Sequence, residues 1–208
     1  MAEAFVLVIE GLETLADLEK LPQDIIRSAR IAVNDAATRG RTKMGAEVLS
    51  QVNLPRDYVA PRNKRLYVSK KANSSDLEAI ITARSRPTSL ARFANNTSVA
   101  RPKAGVRVEV KQGAVRTIPG AFLIKLRSGS GLTDTKHNLG LAVRTKDGLP
   151  PNRAYAPKSL GDNLWLLYGP SVSQVLLSAR GNSGVAIDLS PDIQQLLEDE
   201  FWRQMDLT

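Results

Sequence analysis

The sequence predicts an α+β fold: a mostly antiparallel β-sheet packed by a long N-terminal helix, with a C-terminal amphipathic helix and long loops or arms. Three observations carry that prediction. Apolar and small residues recur at spacings of three and four through residues 24–53. Short apolar or alternating runs separated by turn residues fill the middle of the chain. A well-signalled amphipathic segment stands near the end.

Taken in order, FVLVIE at residues 5–10 has the composition of a strand, and Leu12–Leu21 reads as a turn of helix or a loop. Pro22 and Asp24 suit a helix start. The long helix then carries a seam of Ile25, Ala29, Ala32, Val33, Ala36, Gly40, Met44 and Val48, with Arg27, Arg30, Arg39, Arg41 and Lys43 mostly off it. Glycine costs about 1 kcal/mol relative to alanine inside a helix, so Gly40 marks a close approach of another element or a bend. Asn53, Pro55 and Pro61 end the helix.

LYVSK (66–70) and LEAIITARS (77–85) read as strands around the turn-like ANSSD, with LEAII also compatible with a helix start. SLARF (89–93) looks helical, VRVEVKQG (106–113) alternates as a half-buried strand does, and AFLIKL (121–126) and GLAVRT (140–145) make a hairpin with a Gly/Ser-rich tip. Residues 148–163 form a Pro-rich connector. LWLLY begins a strand that breaks at Gly169-Pro170, with a helical segment over Ser171–Ala179. The last helix takes Ser190 as N-cap and Pro191 as first residue, with Ile193, Leu196, Leu197, Phe201 and Met205 as its apolar face. The organisation expected is one domain over 1–208: an arm at 1–21, the helix at 22–53, a sheet-rich body at 54–180 and the final helix at 190–206.

At 208 residues, 42% of them hydrophobic, the chain is long enough to bury a substantial core. It has no apolar run near the ~18 residues a membrane span needs, and its first residues lack the basic leader of a secretory signal. Without cysteine, disulfides and thiolate chemistry are excluded.

The net charge of +8 is unevenly distributed. Residues 1–26 hold six acids and one base, residues 27–127 hold 21 Lys/Arg against six acids, and residues 181–208 again hold six acids and one base. Acidic ends around a basic centre have two functional readings. The centre faces nucleic acid, or the acidic ends of one subunit dock on the basic body of the next. The plainer alternative is a surface solvated by both signs. The densest cations are Arg56, Arg62, Lys64, Arg65, Lys70 and Lys71, with Tyr58 and Tyr67 between them, continued by Arg84, Arg86, Arg92, Arg101 and Lys103. Contact with duplex phosphates, without base readout, asks for no more than such residues. The aromatic residues are too few for single-strand stacking.

Other chemistry finds little support. His137, the single histidine, lies on the Gly/Ser tip near Asp134, Ser128 and Ser130, where nothing supplies the rigid geometry of a catalytic triad. No metal-ligand spacing occurs, and SGSG (128–131) does not lead into a helix as a phosphate loop must. Glu198, Asp199 and Glu200 are consecutive on a helix, so their side chains are expected to splay into a solvated or docking face. Trp165, Tyr168, Phe122 and Phe201 read as core or interface anchors. No enzyme, cofactor or metal is expected.

Over most of residues 22–206 the chain carries, in order, GRT (40–42), VNLPRDYV (52–59), RPTSLARF (86–93), VEVKQG (108–113), PGAFLIKL (119–126), NLGLAVRT (138–145) and LYGPSVSQV (167–175). This order of segments resembles the minor tail protein Z family of tailed bacteriophages. It implies a non-enzymatic tail completion protein in the virion's tail or neck, assembled in the host cytoplasm. Such a protein forms a ring around the DNA channel, a hexamer being the first expectation, between head–tail connector and tail terminator or tube proteins. Loops 53–65, 94–105 and 126–140 would then meet neighbouring subunits. The rival readings are a basic, non-sequence-specific DNA-binding protein acting as monomer or dimer, and a structural protein elsewhere in the tail.

Overall fold

The computed structural model describes residues 22–95, 104–127, 130–132, 138–151, 156–177 and 185–207. The expectations for 4–10, Leu12–Leu21, His137 and Asp134 lie outside them. The described residues form an α+β fold whose strands all pair antiparallel. They group into two compact units, each built from separated stretches of chain: the described parts of Met1–Val48, Arg56–Ser85 and Val172–Thr208, and of Leu49–Pro55 and Arg86–Ser171.

The first unit is built on α1 (Gln23–Gln51). The Pro22 carbonyl accepts from the Ile25 and Ile26 amides at 3.1 and 3.2 Å, which starts the helix at the expected place. Its buried band is Ile26, Ser28, Ala32, Val33, Ala36, Ala37, Gly40, Met44, Gly45 and Val48. The expected seam is therefore wider and slightly rotated: Ile26 replaces Ile25, Ala29 is only half-buried, and Ala37 and Gly45 join. The cause is that α1 is covered by two elements. One is the hairpin of β1 (Leu66–Lys70) and β2 (Ile80–Ala83), paired Leu66↔Ala83 through Val68↔Ile81. Val33 and Ala37 pack with Ala72, Ala79 and Val68. The other is α4 (Ser190–Met205), whose Leu197 joins the same cluster. A Cβ placed on Gly40 would stand 3.0 Å from Ile193 Cδ1 and 3.1 Å from its Cγ1, so glycine there permits the close helix–helix approach.

Between α1 and β1 the chain makes two short 3₁₀ turns, Arg56–Val59 and Pro61–Asn63. Two short helices, α2 (Val172–Leu177) and α3 (Val185–Asp188), precede α4. Ser190 is not the cap that its sequence context suggests. Leu189, in αR conformation, occupies that place, accepting from the Ile193 amide at 3.0 Å while its own amide donates to Val185 at 3.0 Å. The chain enters α4 already turning helically from α3, and the turn is closed by backbone bonds through Leu189 rather than by the Ser190 hydroxyl.

The second unit holds the main sheet, in order β3–β9–β7–β6: Thr88–Ser89, Leu164–Gly169, Leu139–Arg144 and Phe122–Lys125. β8 (Lys158–Gly161) shares an edge of β9 with β3. The β6–β7 hairpin forms as its sequence predicts, in the register Phe122↔Ala142 to Lys125↔Leu139. Phe122, Ala142, Leu166 and Tyr168 form a core, with Ile124, Leu126, Leu132 and Leu164 against it. SLARF ends in a single 3₁₀ turn, Leu90–Phe93, in place of a helix.

β4 (Val106–Lys111) and β5 (Ala114–Ile118) make a separate two-stranded ribbon. The Asn53 amide donates to Val110 O at 2.8 Å and its side chain to Glu109 O at 3.1 Å, fastening the ribbon. The single sheet expected is therefore three sheets. β5 and β8 went unanticipated because their side chains are almost all exposed, which leaves no hydrophobic alternation to read.

Candidate basic interface

Positive side chains dominate this chain, and the fold divides them by fate. Some become structural. Arg41, expected to lie free off the helix seam, donates from Nε to the Leu66 carbonyl at 3.1 Å and from Nη2 to the Val59 carbonyl. These two carbonyls flank the 3₁₀ segment, so Arg41 holds it against α1. Burial lowers its pKa, yet a guanidinium retains its proton at any ordinary pH. Asn34 does similar work one face away. Its amide donates to Ala72 O at 3.0 Å while its Oδ1 accepts from Ala72 N at 2.9 Å, imitating a strand partner for the end of β1.

Seven of the sequence-selected cations lie in the first unit. Arg65 stacks on the Tyr58 ring at 4.2 Å and donates to the Tyr58 carbonyl at 3.2 Å. Arg62 pairs with Asp57. Lys70 is held between Asp76, at 2.6 Å, and Glu78, and the hydrogen bonds it donates to these two carboxylates raise its pKa. The same Lys70 bond lowers the pKa of Asp76. Arg84 is half-buried; its amide donates to Arg65 O at 2.9 Å and its carbonyl accepts from Ser173 N at 3.1 Å. That leaves Arg56, Lys64 and Lys71 exposed and without an ion pair among the described residues. The cluster that looked continuous in sequence is thus thinned by its own internal partners.

Arg86 and Arg92 belong to the second unit, and Arg101 and Lys103 lie outside the described residues. Arg92 is half-buried. Arg86 lines a shallow depression with Pro87, Gly131, Ala156, Lys158 and Tyr168. Its Nη2 is buried with no hydrogen-bond partner. The Tyr168 hydroxyl donates to Leu132 O at 2.8 Å, and burial raises its pKa, with the Arg86 charge opposing. Three further cations are exposed on the ribbon: Arg107, Lys111 and Arg116. For Arg107 and Lys111 the signal was present in the alternation of VRVEVK; Arg116 lies on β5, which has none.

Acidic chemistry concentrates on α4, and the three consecutive acids do not behave alike. Glu198 and Asp199 are exposed, as expected, whereas Glu200 is only 3% exposed. Arg203 holds its carboxylate bidentately through Nε, at 2.9 Å, and Nη2; Gln204 donates at 2.8 Å, and Arg39 of α1 stands 3.6 Å away. These partners, led by the Arg203 hydrogen bonds, hold its pKa down to about 2. The carboxylate is covered by its own partners near the surface, so it remains ionised without a deep burial cost. Lys43 adds a surface link from α1 to Asp192 at 2.9 Å.

Trp202, which the sequence reading passed over, is 64% exposed on the outer face of α4. Helical spacing puts Glu198, Asp199 and Asp206 around it, three and four positions away.

No group of three or more His, Asp or Glu side chains among the described residues is arranged to hold a metal, and no described helix is long and apolar enough to cross a membrane. No protein family model, curated protein or solved structure matches this chain.

Proposed function

We propose that this chain is a structural protein of the phage virion, a tail completion or neck component that assembles as a ring around the DNA channel and joins the tail to the head connector. The observation that carries this reading is the separation of its free surface charge. Arg56, Lys64 and Lys71 in one unit, and Arg107, Lys111 and Arg116 in the other, are exposed cations. Glu198 and Asp199 on α4, and Asp206 at its C-cap, are exposed acids. A subunit that binds its own copies needs both signs on different surfaces. A ring wall around duplex DNA needs phosphate-directed cations without base readout. The resemblance in segment order supplies the location at the end of a tail, with a hexamer as the expected ring.

The experiment is in vitro complementation. Purified protein is added to tails produced without it, and joining to DNA-filled heads is scored by electron microscopy and infectivity. Restoration of joining, with density at the head-proximal end of the tail, is the expected result. A protein that stays monomeric and restores nothing refutes the proposal. Duplex binding that weakens steeply with salt in a permanently monomeric or dimeric protein would favour a DNA-binding protein instead.

A further inference from the structure

We infer that the outer face of α4 is a docking surface for a second copy of this chain, and that the β4–β5 ribbon of that copy is what it receives. The inference rests on the self-assembly proposed above and assigns the surfaces involved. A tryptophan that is 64% exposed costs solvation unless something covers it. Trp202 meets the Phe201 ring edge-on, with centroids 5.5 Å apart at 69°. The helix that carries it is fixed by the Glu200–Arg203–Gln204 network and by Arg39 of α1. A large exposed aromatic side chain on a fixed helix has the character of an interface hot spot.

The rim decides the chemistry of the occupant. The exposed Glu198, Asp199 and Asp206 stand three and four positions from Trp202, and Gln195 steadies Asp199 with a bond of 2.9 Å. Such a face repels nucleic-acid phosphate and accepts arginine or lysine, which can pair with the carboxylates and lie on the ring. The ribbon is the complementary patch. By the pairs Val108↔Arg116 and Lys111↔Ala114, Lys111 and Arg116 share one face of it; both are exposed and make no ion pair among the described residues, while Arg107 and the 40% exposed Val115 lie on the opposite face. Beyond its pairing with β4, β5 has no strand partner among the described residues, so the ribbon offers its cations without another strand in the way. An acidic face meeting a different, basic face makes a head-to-tail contact, the kind that closes into rings.

The test measures assembly against concentration by mass photometry for the full chain, for Trp202→Ala, for Glu198→Lys/Asp199→Lys, and for Lys111→Glu/Arg116→Glu. All altered side chains are exposed, and circular dichroism melts check that each variant remains folded. The expected result is a rise of about 30-fold in the concentration needed for assembly by Trp202→Ala. Each charge reversal should weaken assembly similarly, and combining both reversals in one chain should restore it. If the parent chain assembles and the variants assemble equally well, this interface is wrong while self-assembly stands. If the reversals weaken assembly but their combination does not restore it, the ribbon is the wrong partner. A parent chain that never assembles refutes both this inference and the ring.

Discussion

Replacing Glu200 with glutamine removes one charge from the network joining α4 to α1 while keeping the shape of the side chain. The carboxyl pKa falls from 4.5 to about 2 on folding. At ~1.36 kcal/mol per unit, that difference caps the charge's contribution at ~3.4 kcal/mol. Solvent reduces it, because the Arg39 and Arg203 side chains are 54% and 55% exposed. We therefore expect Glu200→Gln to destabilise the protein by about 1–2 kcal/mol near neutral pH. The sign with pH follows from the direction of the shift. A depressed folded pKa adds stability fully above the unfolded value of 4.5, and this is lost as pH falls towards about 2. Urea unfolding followed by circular dichroism at a series of pH values should show the parent–variant gap narrowing through that window. Glu198→Gln, at an exposed position of the same helix, is the control and should change stability by less than about 0.5 kcal/mol. A gap that is absent at neutral pH, or constant between those pH values, would refute the argument that ionised Glu200 fastens α4.

Three further substitutions test other joints. Asn34→Ala leaves both the amide and the carbonyl of Ala72 without their partner; we expect a loss of about 2 kcal/mol in urea unfolding and faster amide exchange at the end of β1. Gly40→Leu forces a side chain into space where even a Cβ stands 3.0 Å from Ile193. It should cost about 1–3 kcal/mol despite a better helix propensity, with α4 exchanging fastest. Gly105 has φ +84° and a Cβ there would meet Ile118 O at 2.1 Å, so Gly105→Ala should destabilise the ribbon by about 2 kcal/mol or more, read by hydrogen exchange of residues 106–118.

How much was legible in the sequence depended on whether a feature had a period or only a place. Met44 and Val48 were readable as core because helical spacing puts them on one face, and both are fully buried. The β6–β7 hairpin was readable because a buried apolar run stands on each side of a Gly/Ser tip. Gly40 was readable as a close approach, though not that Ile193 lay opposite. The cations were the hardest to judge. Arg41 and Arg56 look alike in one dimension, yet one bonds two buried-segment carbonyls and the other is exposed. Glu200 resembles Glu198 until Arg39, 161 positions earlier in the chain, is seen beside it.

By itself the sequence determined the fold class, the long helix and its start, most of the strands, the polarity of charge and the absence of thiol chemistry. These are local or compositional properties, set by backbone propensity, by the periods of 3.6 and 2, and by residue counts. Only the tertiary structure decided that α1 is covered by both the β1–β2 hairpin and α4, that the strands divide into three sheets in two units, and which charges are spent inside the chain. Hydrogen bonds and ion pairs act over about 3–4 Å and join residues far apart in sequence, so no periodicity announces them. The surface left to partners is what remains after those internal bonds are made: exposed cations on the ribbon and around the 3₁₀ turns, and an exposed tryptophan among acids on α4.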